Sequence, residues 1–505
     1  MTSELIRPVR SVVARRFMTI AGGAVLLIAG ACKDFIEPNP TDVLAPENFY
    51  QTSADAIASV NSVYEQQRWA YWLNYWYITD MASDEAIASP NFGPDGHRAS
   101  NYSFDAQEGF ISGFWGDTYK TINRANAVID RVPGISMDST LKARIVGEAR
   151  FLRALSYFNL VRLFGDVPLV DHEVTSLASL DVGRTPSADV YTLVIGDLQA
   201  AASSLPATYT GSDLGRVTAG AARGLLSKVY LTQQNWAQAA QTAGTVITGG
   251  RYSLLPNFKD NFRIANKLTN SETMFELNYD GILTSGTGSV VTLFTLPAGY
   301  PGGDAYGLIE VLPSTIAKFT TSDKRGFGVS IITSPFKDVT GATVTWSLPS
   351  GAVVYKYLDD ASQQNLKSRG WAQQSNDWIV LRYADVLLGY AEAVNEGGAA
   401  SGMTKEDALN AVRQRAGLPT IAGLSQGAFR DSVRVERRRE LLFEGHRWFD
   451  LTRWGLMDAT IRAKTAEVAA RYPGETTAHG IRGTLLPIPQ SEINLNGKLT
   501  QNPGW

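Results

Sequence analysis

Between Pro46 and Tyr252 apolar side chains return every three or four positions. That is the period of a helix with one buried stripe, so this half of the chain has to fold as helices packed on one another. In residues 145–164, Ile145, Ala149, Leu152, Leu155, Phe158 and Val161 share one face, and Gly165, Asp166 and Pro168 stop the helix. Thr185, Pro186, Ser187, Ala188 and Asp189 start another, with a polar entry and a proline in the first turn. The pattern predicts helices in pairs, 115–132 with 141–164 and 188–204 with 218–231, followed by 236–248. Small and large residues alternate through Ala221, Leu225, Lys228, Val229, Leu231, Trp236, Ala239 and Ala240, as in tetratricopeptide-type units whose stacked pairs share a core.

From about Arg263 to Asn376 glycine, proline, serine and threonine crowd in. Short apolar runs there, Met274 to Leu277 and Ala352 to Tyr355, read as strands. Helical spacing returns in 381–395, 405–416 and 431–444, so the irregular stretch is an insert bracketed by helices. The expected fold is mainly α, a helical-repeat scaffold with a loop-rich insert and a few short strands.

The single cysteine, Cys32, rules out a disulfide framework and leaves stability to packing. It follows Arg7, Arg10, Arg15 and Arg16 and an uncharged run, Phe17 to Ala31, too short to span a bilayer at about 20 residues. A positive start, an apolar stretch and small residues before a cut site are secretory-signal grammar. Ala29, Gly30 and Ala31 before Cys32 resemble a bacterial lipobox, although the position usually held by leucine is Ala29. The expectation is cleavage after residue 31, lipid on Cys32, and a chain anchored to the membrane without crossing it. Residues 32–45, with Lys33, Asp34, Pro38 and Pro40, read as an extended tether. Residues 46–505 are expected to form one domain, with repeats over about 46–262 and 377–455 and the insert over about 263–376.

A net charge of −3, from 46 basic and 49 acidic residues, provides no electrostatic footprint for nucleic acid. The four histidines, His97, His172, His446 and His479, are scattered without zinc-ligand spacing. There is no G-x-S-x-G elbow and no P-loop. No catalytic residue, metal or cofactor is therefore expected. A glycosidase would need two carboxyls across a sugar, but the neighbours Asp84 and Glu85, like Asp359 and Asp360, read as solvated surface pairs.

The segment RRRELLFEGHRWFDLTRWG, from Arg437 to Gly455, closely resembles the C-terminal hallmark of the RagB/SusD family of nutrient-binding outer-membrane lipoproteins. The resemblance extends to EARFLRALSYFNLVRLFGDVPLV from Glu148, LRYADVLLGYAEAVNEGG from Leu381, AVRQRAGLP from Ala411 and LLPIPQSEINLNGKLTQNPGW from Leu485. It implies a SusD-like fold and a surface lid that delivers glycan to a SusC-like TonB-dependent outer-membrane barrel. Peptide or another organic ligand is the alternative within that architecture, and a secreted glycoside hydrolase the alternative outside it. The motifs themselves read as structural: Arg438, Arg439, Glu440 and Glu444 share a helix with apolar Leu441, Leu442 and Phe443, so their charges need partners. Gly445 is placed to end that helix in a left-handed conformation.

For ligand contact the reading turns to rings interleaved with polar groups, because an aromatic face stacks on a sugar while amides and carboxylates bond its hydroxyls. In RWAYWLNYWYITD, Trp69, Trp72, Leu73 and Trp76 share one helical face and Tyr71, Tyr75 and Ile78 the other, with core packing the plainer use of both. Tyr77 and the connection 83–103, read as exposed, supply the candidates Tyr77, Asn91, Phe92, Asn101 and Tyr102. The insert supplies a second set, Tyr279, Tyr300, Tyr306, Trp346 and Trp371.

Overall fold

A computed structural model of the chain describes residues 49–176, 181–280, 288–300, 305–338, 340–359, 374–471 and 481–505. The leader, Cys32, the tether and Trp371 lie outside the described residues. Several helices form where a polar cap meets apolar spacing. In α1 (Ser53–Trp72) the Thr52 hydroxyl accepts from the Asp55 N–H while the Asp55 carboxylate accepts from the Thr52 N–H, a reciprocal cap. Helix α2 is Gly109–Arg131 and α3 is Ser139–Phe164, the latter started by Asp138 and stopped by Gly165 at φ 72°. Thr218 caps α5 (Ala219–Thr232) and Asn235 caps α6 (Trp236–Thr248), after α4 (Ser187–Ser204). Each of α1 to α6 packs on the next in chain order, and α6 packs on α7 (Tyr383–Asn395), which carries α8 (Lys405–Arg415) and α9 (Gln426–Glu440). The expected pairs are present, and residues Thr52–Trp505 form one unit.

Among the described residues the insert contributes short antiparallel pairs. β1 (Ala86–Ala88) pairs with β3 (Ile309–Val311), β2 (Thr273–Leu277) with β8 (Trp378–Arg382), β4 (Ile331–Thr333) with β7 (Ala352–Val354), and β5 (Phe336–Lys337) with β6 (Thr343–Val344). The β2–β8 pair closes the base of the insert against α5: a Cβ on Gly224 would lie 2.8 Å from the Met274 methyl and 2.9 Å from a Leu381 methyl, so glycine there leaves room for both side chains.

Three sequence expectations are corrected. Residues 381–382 end strand β8 instead of starting a helix, because pairing with β2 claims their backbone groups. Helix α9 stops at Glu440, before the turn 441–445, in which Phe443 has φ 57° and Gly445 φ 75°. The RWAYWLNYWYITD run is not one continuous helix: Leu73, at φ −142° and ψ −51°, interrupts it, and Tyr77–Met81 form a π-helical turn. Tyr71 and Tyr75 face the core, whereas Trp69 on the other stripe remains 39% exposed.

The hallmark charges meet in the interior. Arg382, Arg325, Glu272, Glu436, Glu440 and Glu444 are buried together with Asp323 and Lys356. Arg325 bonds Asp323 at 2.9 Å and Glu440 at 2.8 Å, and Lys356 donates to Glu444 at 2.7 Å. A second knot joins Lys228, Asp385, Arg437 and Asp450, each contact at 2.8 Å. Pairing offsets the cost of burying these charges.

Candidate ligand-binding site

The π-helical turn places Tyr77 against Phe110, centroids 5.6 Å apart with an interplanar angle of 11°, and 5.4 Å from Phe92. Phe92 stacks at 6.3 Å on Phe294, whose ring meets Trp76 edge-on at 5.6 Å and Tyr306 at 6.3 Å. The stack is buried except at its end, where Tyr306 is 40% exposed. Backbone bonds hold that end: Ser89 N–H donates to Leu308 O at 2.9 Å, Tyr306 N–H to Leu293 O at 2.8 Å, and Leu308 N–H to Phe294 O at 3.0 Å. The Ser89 hydroxyl donates to Gly307 O and accepts from the Asn91 N–H at 3.2 Å, which pins the turn carrying the exposed Asn91 to the segment carrying Tyr306. An outward ring on a packed aromatic column, next to an amide, is a preorganised surface for an amphipathic ligand.

Tyr77, Asn91, Phe92 and Tyr306 are thus brought together, with Tyr77 and Phe92 supporting from within. The other candidates are not on this surface. The connection 83–103 is mostly buried, contrary to its reading as exposed, because β1 is covered by β3 and the short helix Pro94–Ser100 folds back on the π-helical turn. Asn101 is buried, and Tyr102, 2% exposed, stacks on Trp448 at 5.8 Å and donates to Gly483 O at 2.8 Å. Tyr279 is buried with its hydroxyl on Arg68 O at 3.2 Å. Tyr300 is buried in a small core with Leu296, Ile332, Val353, Tyr355 and Leu358, onto which the half-buried Trp346 packs. Phe294 and Phe110, which complete the column, carry no sequence signal beyond being aromatic.

Asp84 and Glu85 are buried too, not solvated. Asp84 takes both Arg447 nitrogens, at 2.7 and 3.0 Å, and Arg438 at 3.0 Å. Burial opposes its ionisation, but the two guanidiniums prevail and hold the carboxyl down at about 2. Asp80 and Glu85 accept the N–H groups of Gly445 and Phe443, each at 3.0 Å, tying the π-helical turn to the hallmark turn. For these two burial prevails and raises both carboxyls; the charge of Asp80 raises Glu85 further, while Lys356 and Arg447 pull the other way.

A pH profile follows. The raised pair stabilises the fold below the ordinary carboxylate range, and that contribution is lost as pH rises through about 7 for Asp80 and about 8 for Glu85. Asp84 works the other way, stabilising above the ordinary carboxylate range and losing that effect as pH falls toward about 2. The share of thermal stability that this pair controls should therefore decline between roughly pH 4 and pH 8. Asp80→Asn with Glu85→Gln should flatten that decline; an unchanged decline would show that other groups cause it.

Residues 336–505 match the model of the SusD family, and residues 34–231 a model described as starch-binding associating with outer membrane. SusD-like protein P2 of Formosa agariphila is 30% identical over 514 residues, covering 95% of this chain and 98% of that protein. The chain belongs to the SusD family. Among solved SusD-family structures, a SusD homolog from Bacteroides thetaiotaomicron superposes with a TM-score of 0.76 at 26% identity, over 91% of this chain and 98% of that one. A laminarin binding SusD-like protein superposes with a TM-score of 0.75 at 26% identity, over 90% and 100%. The mainly helical scaffold with its irregular insert is the SusD fold.

Proposed function

We propose that this chain is a non-catalytic glycan-capture protein whose contact surface is the Tyr306 end of the aromatic column, with Asn91 beside it. The observation that carries the reading is a ring 40% exposed on a column otherwise buried. A solvent-facing tyrosine costs hydrophobic free energy unless something covers it, and the stack behind it removes the need to order the site on binding. The SusD-like relative that binds laminarin, and the starch-binding description of the matched model, support sugar as the occupant. Cys32 would carry the lipid that holds the protein at the outer membrane, and a SusC-like TonB-dependent barrel would receive the glycan.

The test is calorimetry with panels of neutral glucan oligosaccharides and of peptides. Tyr306→Ala is expected to weaken the tightest glucan by roughly 3- to 10-fold, the effect of losing one stacked ring at about 0.5–1.5 kcal/mol. Asn91→Ala should add a smaller loss. Peptide binding without glycan binding, or an unaltered Tyr306→Ala protein, would overturn the reading.

A further inference from the structure

A cleft of about 250 Å³ opens between α1, the loop 212–216 and the end of β2, lined by Asn61, Tyr64, Glu65, Arg68, Arg216 and Asn278 among others. Through Leu214, Gly215, Arg216 and Glu276 it continues into a second hollow of about 240 Å³ that reaches Arg251 and Asn270. None of the residues around Tyr306 lines either hollow.

The charges of the cleft are unevenly spent. Arg216 is committed to Glu148 at 2.9 Å, to Asp213 at 2.7 Å and to the Asn61 amide oxygen at 2.8 Å. Glu65 is committed to Arg124 at 2.7 Å and to the Trp69 indole at 2.9 Å. Glu276 accepts the Leu268 N–H at 2.7 Å, and burial, with the charge of Asp377 behind it, raises its carboxyl to about 8, so it adds little negative charge at neutral pH. Arg68 differs. Its Nη1 donates to Asn278 O at 3.1 Å, and among the described residues no carboxylate comes within ion-pair distance of its half-buried guanidinium. It is attracted to the Glu65 carboxylate, but with no ion pair among the described residues the guanidinium keeps N–H donors for a carboxylate or sulfate, which its fork binds with two parallel bonds. Outside the cleft's own lining, at its rim, Trp69 stands 39% exposed, held by its bond to the lining residue Glu65, and Leu214 is 38% exposed on the opposing loop.

We infer that this cleft is a second carbohydrate subsite, selective for an anionic sugar, in which Arg68 pairs with the carboxylate or sulfate and Trp69 stacks on the ring. This rests on the glycan reading of the protein and extends it to charged polymers. It would let one acidic chain engage the protein at two places.

The test uses the full chain, titrated with an oligogalacturonate, a sulfated oligosaccharide and a neutral glucan hexasaccharide. Arg68→Gln retains a donor for the Asn278 carbonyl but removes the charge. It is expected to weaken one or both acidic ligands about 10-fold or more, as the loss of a charge-assisted pair does, and to leave the neutral glucan unchanged. The acidic ligand that responds identifies the group, carboxylate or sulfate. Trp69→Ala should weaken the same ligand, and added salt should weaken it in the wild type more than in Arg68→Gln. Unchanged binding of both acidic ligands by Arg68→Gln overturns the inference, and so does an equal loss for the neutral glucan. Neutral glucan held through Tyr306 with no acidic preference overturns this subsite alone; absence of any glycan binding overturns both readings.

Discussion

Arg382→Leu is expected to lower the free energy of unfolding by about 3–5 kcal/mol, the cost of removing one partner from a buried ionic network. The side chain is fully buried at the end of β8 and is shared among three carboxylates. It donates to Glu444 at 2.7 and 2.9 Å, to Glu272 at 2.9 Å and to the Glu440 carbonyl at 2.6 Å, and it pairs with the Glu440 carboxylate as well. Without it, among the described residues, Glu444 keeps only the Lys356 ammonium within ion-pair reach, and Glu272 only Arg415. Burial alone would then drive protons onto carboxylates that the guanidiniums now hold down. Urea titration measures the loss. Coupling is the sharper sign: Arg382→Leu with Glu444→Gln should destabilise by less than the two single changes added together. Strict additivity would mean that the network is not energetically connected.

Gly445→Ala is expected to cost about 2–4 kcal/mol, from two separate causes. At φ 75° any side chain is strained, and the added Cβ would lie 2.4 Å from Cε1 of Tyr75. That ring cannot step aside, because Tyr71 lies 4.2 Å away on one side and Phe114, Trp378 and Phe449 surround the rest at 6.0 to 6.3 Å. Gly455 separates the causes: it has φ 68° and nothing within 4 Å of its missing Cβ. Gly455→Ala should cost only about 1–2 kcal/mol, the backbone term alone. Equal losses in the two variants, measured in one denaturant series, would show that the Tyr75 contact relaxes freely.

The repeat helices were legible because they carry their own instructions: an apolar stripe such as Ile145 to Val161, a start such as Thr185 to Asp189, and a stop such as Gly165. Those signals act over a few residues, so reading them requires no knowledge of the rest of the chain. The signal failed where a distant segment decides the outcome. Leu381 and Arg382 have helical neighbours yet complete a strand, because Thr273 to Leu277 offer them hydrogen bonds. Asp84 and Glu85 read as surface charges because nothing nearby in sequence announces Arg438, Arg447 or the N–H of Phe443. The same blindness governed the ligand face. Aromatic residues mark core and binding surface alike, and composition cannot tell Tyr102, stacked under Trp448, from Tyr306, left half open.

Local spacing and capping therefore determined by themselves that this chain builds paired helices around a loop-rich insert, and its motifs placed it among SusD-like proteins, since both are written in neighbouring residues. Which rings face water, which charges are neutralised and where clefts open were decided only by tertiary packing. Solvent exposure belongs to a side chain's surroundings, and here those surroundings come from strands and turns hundreds of residues away.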